Sequence, residues 1–136
     1  MTANSVSENT TSETTPFRSG FVALVGRPSV GKSTLLNACM GHKVTIESPV
    51  AQTTRRRFRA VITTDTSQLV IVDTPGLHKP KDALGKELNK VALGELDDAD
   101  VIAFLIDATK PVGRGDEWVA NHVAQAHATF KLLVLT

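Results

Sequence analysis

The run Gly26-Arg27-Pro28-Ser29-Val30-Gly31-Lys32-Ser33 constrains this chain of 136 residues more than any other part of it. It has the form G-x-x-x-x-G-K-[ST], follows an apolar run at residues 21–25, and opens a helix candidate at 32–40 that Gly41 is placed to cap. A strand, a glycine-rich loop and a helix in that order present backbone N–H groups at a helix N-terminus, where the helix dipole favours an anion. Glycines let such a backbone wrap a phosphate. Lys32 would then reach the β- and γ-phosphates of a nucleotide, and the Ser33 hydroxyl would ligate Mg2+. The residues assigned to the nucleotide here are Gly26, Arg27, Pro28, Ser29, Val30, Gly31, Lys32, Ser33 and Thr34, on a P-loop NTPase fold of the α/β class.

The rest of the chain agrees with that fold. Apolar runs recur at residues 60–63, 69–72, 101–106 and 132–135, and most are continuous rather than alternating, as strands covered on both faces should be. Further helix candidates lie at 84–96 and 116–128. Strands alternating with helices predict a mostly parallel sheet. The polar residues 64–68 join two strands too closely for a crossover and predict one antiparallel edge hairpin. Residues 1–17 are rich in Ser and Thr with little apolar surface, which predicts a disordered tail ahead of a partial domain at 18–136. The last strand has no closing helix after it, so the domain reads as truncated at its C-terminus.

Composition bounds the partners. With 15 Lys+Arg against 14 Asp+Glu the net charge of +1 supplies no global field for nucleic acid or anionic lipid, so such binding needs a local patch or another domain. A single cysteine, Cys39, excludes an internal disulfide framework. No apolar run approaches the roughly 20 residues that span a bilayer, and the first residues hold no secretory signal, so the expected location is the cytoplasm.

A second motif, Asp73-Thr74-Pro75-Gly76, closes the strand at 69–72. Alone it is a common turn sequence. Downstream of a phosphate loop and at a strand end, it places Asp73 where Mg2+ would sit, and the Gly76 N–H where a γ-phosphate would be sensed. Between the two motifs lies a polar loop, in which Thr54, with Thr53 second, is the candidate hydroxyl ligand to Mg2+. The candidate catalytic residues are therefore Lys32, Thr54 and Gly76, and the candidate metal ligands Ser33, Thr54 and Asp73. Arg55, Arg56, Arg57 and Arg59, like Lys79, Lys81 and Lys86, fit either a nucleic-acid patch or an ordinary solvated face. His42, His78, His122 and His127 lack metal-ligand spacing, while Cys39 and Trp118 read as packing residues.

These motifs, in this order, resemble the translation-factor class of GTPases. The finer pattern resembles the Era family of ribosome-assembly GTPases: residues 20–28 and Ser33-Thr-Leu-Leu-Asn37, Ser48-Pro49 with Gln52-Thr-Thr-Arg55, Asp73-Thr-Pro-Gly-Leu-His-Lys-Pro80, and Leu84-Gly85. The resemblance runs over residues 18–136. It implies a switch that binds GTP or GDP with Mg2+ and hydrolyses GTP, a C-terminal KH domain that binds small-subunit ribosomal RNA, a monomeric state, and peripheral contact with the cell membrane. In the family the strand matching 131–135 runs into N-K-x-D or T-K-x-D, which selects guanine; Thr136 would be the first residue of that motif, and the KH domain is absent. Leu77, counted with Asp73, Thr74, Pro75 and Gly76 at the nucleotide, stands where many GTPases carry a water-orienting Gln; the family also has an apolar residue there, which implies slow intrinsic hydrolysis. Ser29 replaces the usual Asn of the family, a residue associated with K+, and departs from the pattern there. The residues alone leave open an ATP-dependent P-loop kinase or ATPase, and an inactive nucleotide-binding fragment.

Overall fold

The computed structural model describes residues 14–39, 44–47, 58–74 and 76–136. Its elements are β1 (Arg18–Val25), α1 (Lys32–Cys39), β2 (Val44–Glu47), β3 (Phe58–Thr63), β4 (Ser67–Asp73), α2 (Ala83–Asp98), β5 (Val101–Ile106), α3 (Arg114–Gln125) and β6 (Phe130–Leu135). They form one six-stranded sheet in the order β2-β3-β4-β1-β5-β6. β4, β1, β5 and β6 pair in parallel, whereas β2 with β3 and β3 with β4 are antiparallel.

The expected α/β fold with a mostly parallel sheet is present, and so is the antiparallel hairpin, β3 with β4, although the edge on that side is β2 rather than a strand of the hairpin. Its turn is held by Thr64, whose N–H donates to the Ser67 carbonyl at 2.8 Å and whose hydroxyl oxygen accepts from the Ser67 N–H at 3.0 Å. Outside the hairpin lies β2, four residues long, too short for its alternation to stand out in the sequence.

Successive strand residues point to opposite faces, and helices cover both. On one face Ala23, Val25, Ile102 and Phe104 pack against Ala92 and Leu96 of α2 and Val119 and Val123 of α3. On the other, Leu24, Ile71, Ala103 and Leu105 pack with Val30 and with Leu36 of α1. Two-sided burial is why these strands read as unbroken apolar runs. β1 stands between β4 and β5, so the chain departs to opposite sides of it, and its C-terminal end is where sheets of this kind collect ligands. Gly26 is the next residue.

Residues 14–17 carry no regular secondary structure and are exposed, while the rest of the expected tail, residues 1–13, lies outside the described residues. Cys39 is half-buried rather than in the core: the buried side of α1 is Lys32 and Leu36. Trp118 does pack on the core beneath α3, its ring 4.1 Å from that of His122. Among the described residues no helix is long and apolar enough to cross a membrane.

Candidate functional site

The phosphate loop leaves β1 through a space that admits no side chain. A Cβ on Gly26 would stand 2.7 Å from the Leu105 carbonyl oxygen and 2.8 Å from Val30 Cγ2. Two residues of the loop adopt left-handed backbone: Gly31, at φ 100°, does so without steric cost, and Ser29, at φ 63°, does so against its Cβ. The loop's carbonyls are tied down. Gly26 O accepts from Leu77 N at 2.9 Å, Val30 O from the Thr136 hydroxyl at 2.8 Å, and Arg27 O from Lys32 Nζ at 2.9 Å. Carbonyls engaged in this way leave the loop N–H groups as the donors an anion would meet.

Lys32 opens α1 and is buried, 7% exposed. Its burial pulls the pKa below the ordinary lysine value, and the negative charge of Asp73 only partly opposes this. A buried ammonium solvated by carbonyl oxygens is a site in want of anionic charge.

Ser33 and Asp73 are brought together from the first turn of α1 and the end of β4. Ser33 Oγ donates to Asp73 Oδ2 at 2.8 Å, and Asp73 Oδ1 is buried with no hydrogen-bond partner. Two hard oxygen donors, one carboxylate lone pair unclaimed, fit Mg2+. Gly76 lies against the same loop: a Cβ there would come within 2.7 Å of Pro28 N and Cα, so the segment after Asp73 approaches as bare backbone.

Three side chains assigned to the nucleotide from sequence face elsewhere. Arg27 reaches α3, with Nη1 3.3 Å from Asp116 Oδ2. The Thr74 hydroxyl donates to the Leu24 carbonyl at 2.6 Å, tying β4 to β1. Leu77 is fully buried in the core beneath α2 and α3, leaving only its N–H at the loop. Thr34 is exposed on α1. Pro75, Thr53, Thr54 and Arg55 to Arg57 lie outside the described residues, as does the Arg59 side chain.

The sequence reading missed three residues that hold the site's frame: Thr136 on Val30, Asp116 on Arg27, and Asn89, whose Nδ2 donates to the His78 carbonyl at 2.6 Å. Asp116 had a local signal, being three residues after Gly113 at a helix start. Thr136 and Val30 lie 106 residues apart, and Asn89 and His78 follow no turn or helix spacing, so neither contact had one.

A parallel sheet whose central strand runs into a phosphate loop, with a Ser–Asp pair beside a buried lysine, defines a P-loop nucleotide-binding domain. A family model described as 50S ribosome-binding GTPase matches residues 21–136, and the chain belongs to that family. Among curated proteins it is similar to GTPase Era of Deinococcus deserti, 55% identical over 115 residues, 85% of this chain and 38% of that protein. GTPase Era of Synechocystis sp. is 53% identical over 105 residues, 77% of this chain and 33% of that protein. The chain thus spans well under half the length of these relatives. Among solved structures, Era in complex with MgGDPNP and a segment of 16S ribosomal RNA matches with a TM-score of 0.68 and 41% identity, covering 88% of this chain and 40% of that one. The G domain of the Thermotoga maritima FeoB iron transporter, at TM-score 0.65 and 22% identity over 86% of this chain and 71% of that one, shares the fold.

Proposed function

We propose that this chain is the nucleotide-binding core of a GTP-hydrolysing switch whose full-length form acts in small ribosomal subunit assembly by binding rRNA. The observation that carries this reading is the Ser33–Asp73 contact at 2.8 Å, with an unpartnered Asp73 oxygen and the buried Lys32 beside it. The likeness to Era bound to MgGDPNP and 16S ribosomal RNA supports the choice of nucleotide, ion and RNA.

In this reading Lys32 and the N–H groups of the loop hold the β- and γ-phosphates, Ser33 and Asp73 hold Mg2+, and Thr54 joins them on the strength of its sequence position. Mg2+, when bound, neutralises charge on the phosphate oxygens. The Gly76 N–H senses the γ-phosphate. Catalysis is positioning and charge neutralisation, with water as the nucleophile. Leu77 offers no polar group to orient that water, so intrinsic hydrolysis is slow. The hydroxyl of Ser29 stands at the loop position through which K+ would assist. The protein works as a monomer in the cytoplasm, with peripheral contact at the membrane.

The test is calorimetric titration with GDP, GTP and ADP in Mg2+, with K+ or Na+ as the monovalent ion. GDP and GTP are expected to bind more tightly than ADP, and Lys32→Ala to abolish binding. Unchanged affinity in Lys32→Ala would sink the site assignment, and equal affinity for ADP would return the chain to the wider class of P-loop ATPases.

A further inference from the structure

Arg27 is the second residue of the phosphate loop, yet its side chain leaves the loop and lies on the first turn of α3. The place it occupies is shaped for it. Gly115 has no side chain, and a Cβ built there would meet Arg27 Nε at 2.8 Å and Cδ at 3.1 Å; one on Gly113 would stand 3.7 Å from Nη1. Two glycines thus leave a bare strip of backbone on which a flat guanidinium can lie. At the end of the strip Asp116, its side chain 6% exposed against 45% for Arg27, presents Oδ2 at 3.3 Å. That carboxylate does not have to be ordered for the purpose, because it also accepts from the Gly113 N–H at 3.0 Å as part of the start of α3. A pre-fixed acceptor makes the pairing cheaper in entropy than an ordinary surface ion pair.

We infer that this seat on α3 makes Arg27 and Asp116 positioning residues for nucleotide binding, holding the phosphate loop in the shape that receives phosphate. The carbonyl of Arg27 accepts from Lys32 Nζ at 2.9 Å, so clamping the Arg27 side chain clamps the peptide that orients the lysine. Two residues further on, Ser29 sits at φ 63°, a conformation that persists only where surrounding structure over-determines it. Leu77 holds the loop at Gly26 O and Thr136 holds it at Val30 O, and the α3 seat secures the stretch between them. By linkage, whatever displaces the first turn of α3 weakens nucleotide binding to the same degree that nucleotide resists the displacement.

The inference rests on the nucleotide reading above, and the decisive variant is Gly115→Ala. It evicts the flexible end of Arg27 without altering any charge, at a helical position where alanine is favoured over glycine. Expected are a melting temperature no lower than wild type and a GDP dissociation constant raised about fivefold, the factor a well-formed exposed ion pair is worth. In an Arg27→Ala background, itself weakened, Gly115→Ala should cost nothing more, and Arg27→Lys should bind as weakly as Arg27→Ala because an ammonium has no flat face to lie on the glycine strip. Wild-type affinity in Gly115→Ala, additive losses in the double variant, or a loss explained by a lowered melting temperature would overturn the seat. Lys32→Ala in the same titrations separates the two readings: if it abolishes binding while Gly115→Ala does not weaken it, only the seat fails, and if the wild-type chain binds no nucleotide, both do.

Discussion

Lys32 donates from its ammonium to the carbonyls of Gly26 and Arg27 in a place whose burial disfavours charge. Its pKa is lowered in the folded chain by burial, so across the window from that lowered value up to about 10.4 the unfolded chain binds more protons than the folded one. Raising the pH through this window relieves the buried charge and adds stability to the nucleotide-free protein. The same deprotonation removes the cation that a phosphate needs. GDP affinity measured from neutral pH upward should therefore decline before the ordinary lysine range is reached, whereas a flat profile would show that the loop N–H groups carry the binding without Lys32. At this scale the motif spacing announced Lys32, Ser33 and Asp73 because each role depends on residue type and on place along the chain. It said nothing of direction. Arg27, Thr74 and Leu77 occupy motif positions, yet their side chains follow α3, β1 and the core, and those surroundings exist only once the sheet is assembled.

α2 does more than cover the sheet. Its N-terminus is capped by Asp82, which accepts from the Gly85 N–H at 2.7 Å, and its buried stripe includes Val91, Ala92 and Leu96. Asn89, 5% exposed among these apolar neighbours, reaches back to the His78 carbonyl and pins the segment that follows Gly76. A half-buried backbone carbonyl bound in this way loses its partner when the amide is removed. Asn89→Ala should cost about 1–3 kcal/mol in urea denaturation, and amide exchange in residues 77–82 should rise more than elsewhere. Uniform acceleration across the chain would show instead that Asn89 supports only the helix. The strands and helices were legible as elements because periodicity and continuous apolar runs are written into consecutive residues, although the run in β6 belongs to a strand that is mostly exposed rather than covered on both faces; β2 was not legible, since four residues carry too little pattern.

Across the whole molecule the outer strand β6 differs from the middle of the sheet in what it can tolerate. Leu105 in β5 is fully buried, whereas Leu133 in β6 is 61% exposed on the outer strand. Leu105→Ala should cost about 2–5 kcal/mol, enough to unfold most of a marginal chain. Leu133→Ala should stay within about 0.5 kcal/mol by thermal denaturation, and a cost comparable to that of Leu105 would mean that β6 is covered in solution. Consecutive residues alone specify the α/β class and the parallel run of strands, and they mark Lys32, Ser33 and Asp73 as the group that the fold then brings together. Each of these is a local pattern, set by periodicity or by a motif a few residues long. Packing of the assembled elements is what lets Thr136 grip Val30, Asp116 seat Arg27 and Asn89 hold His78. The first two join segments 106 and 89 residues apart and come into being only when β1 is placed between β4 and β5 with helices packed on both faces, while the third forms when the stretch after Gly76 folds back on α2.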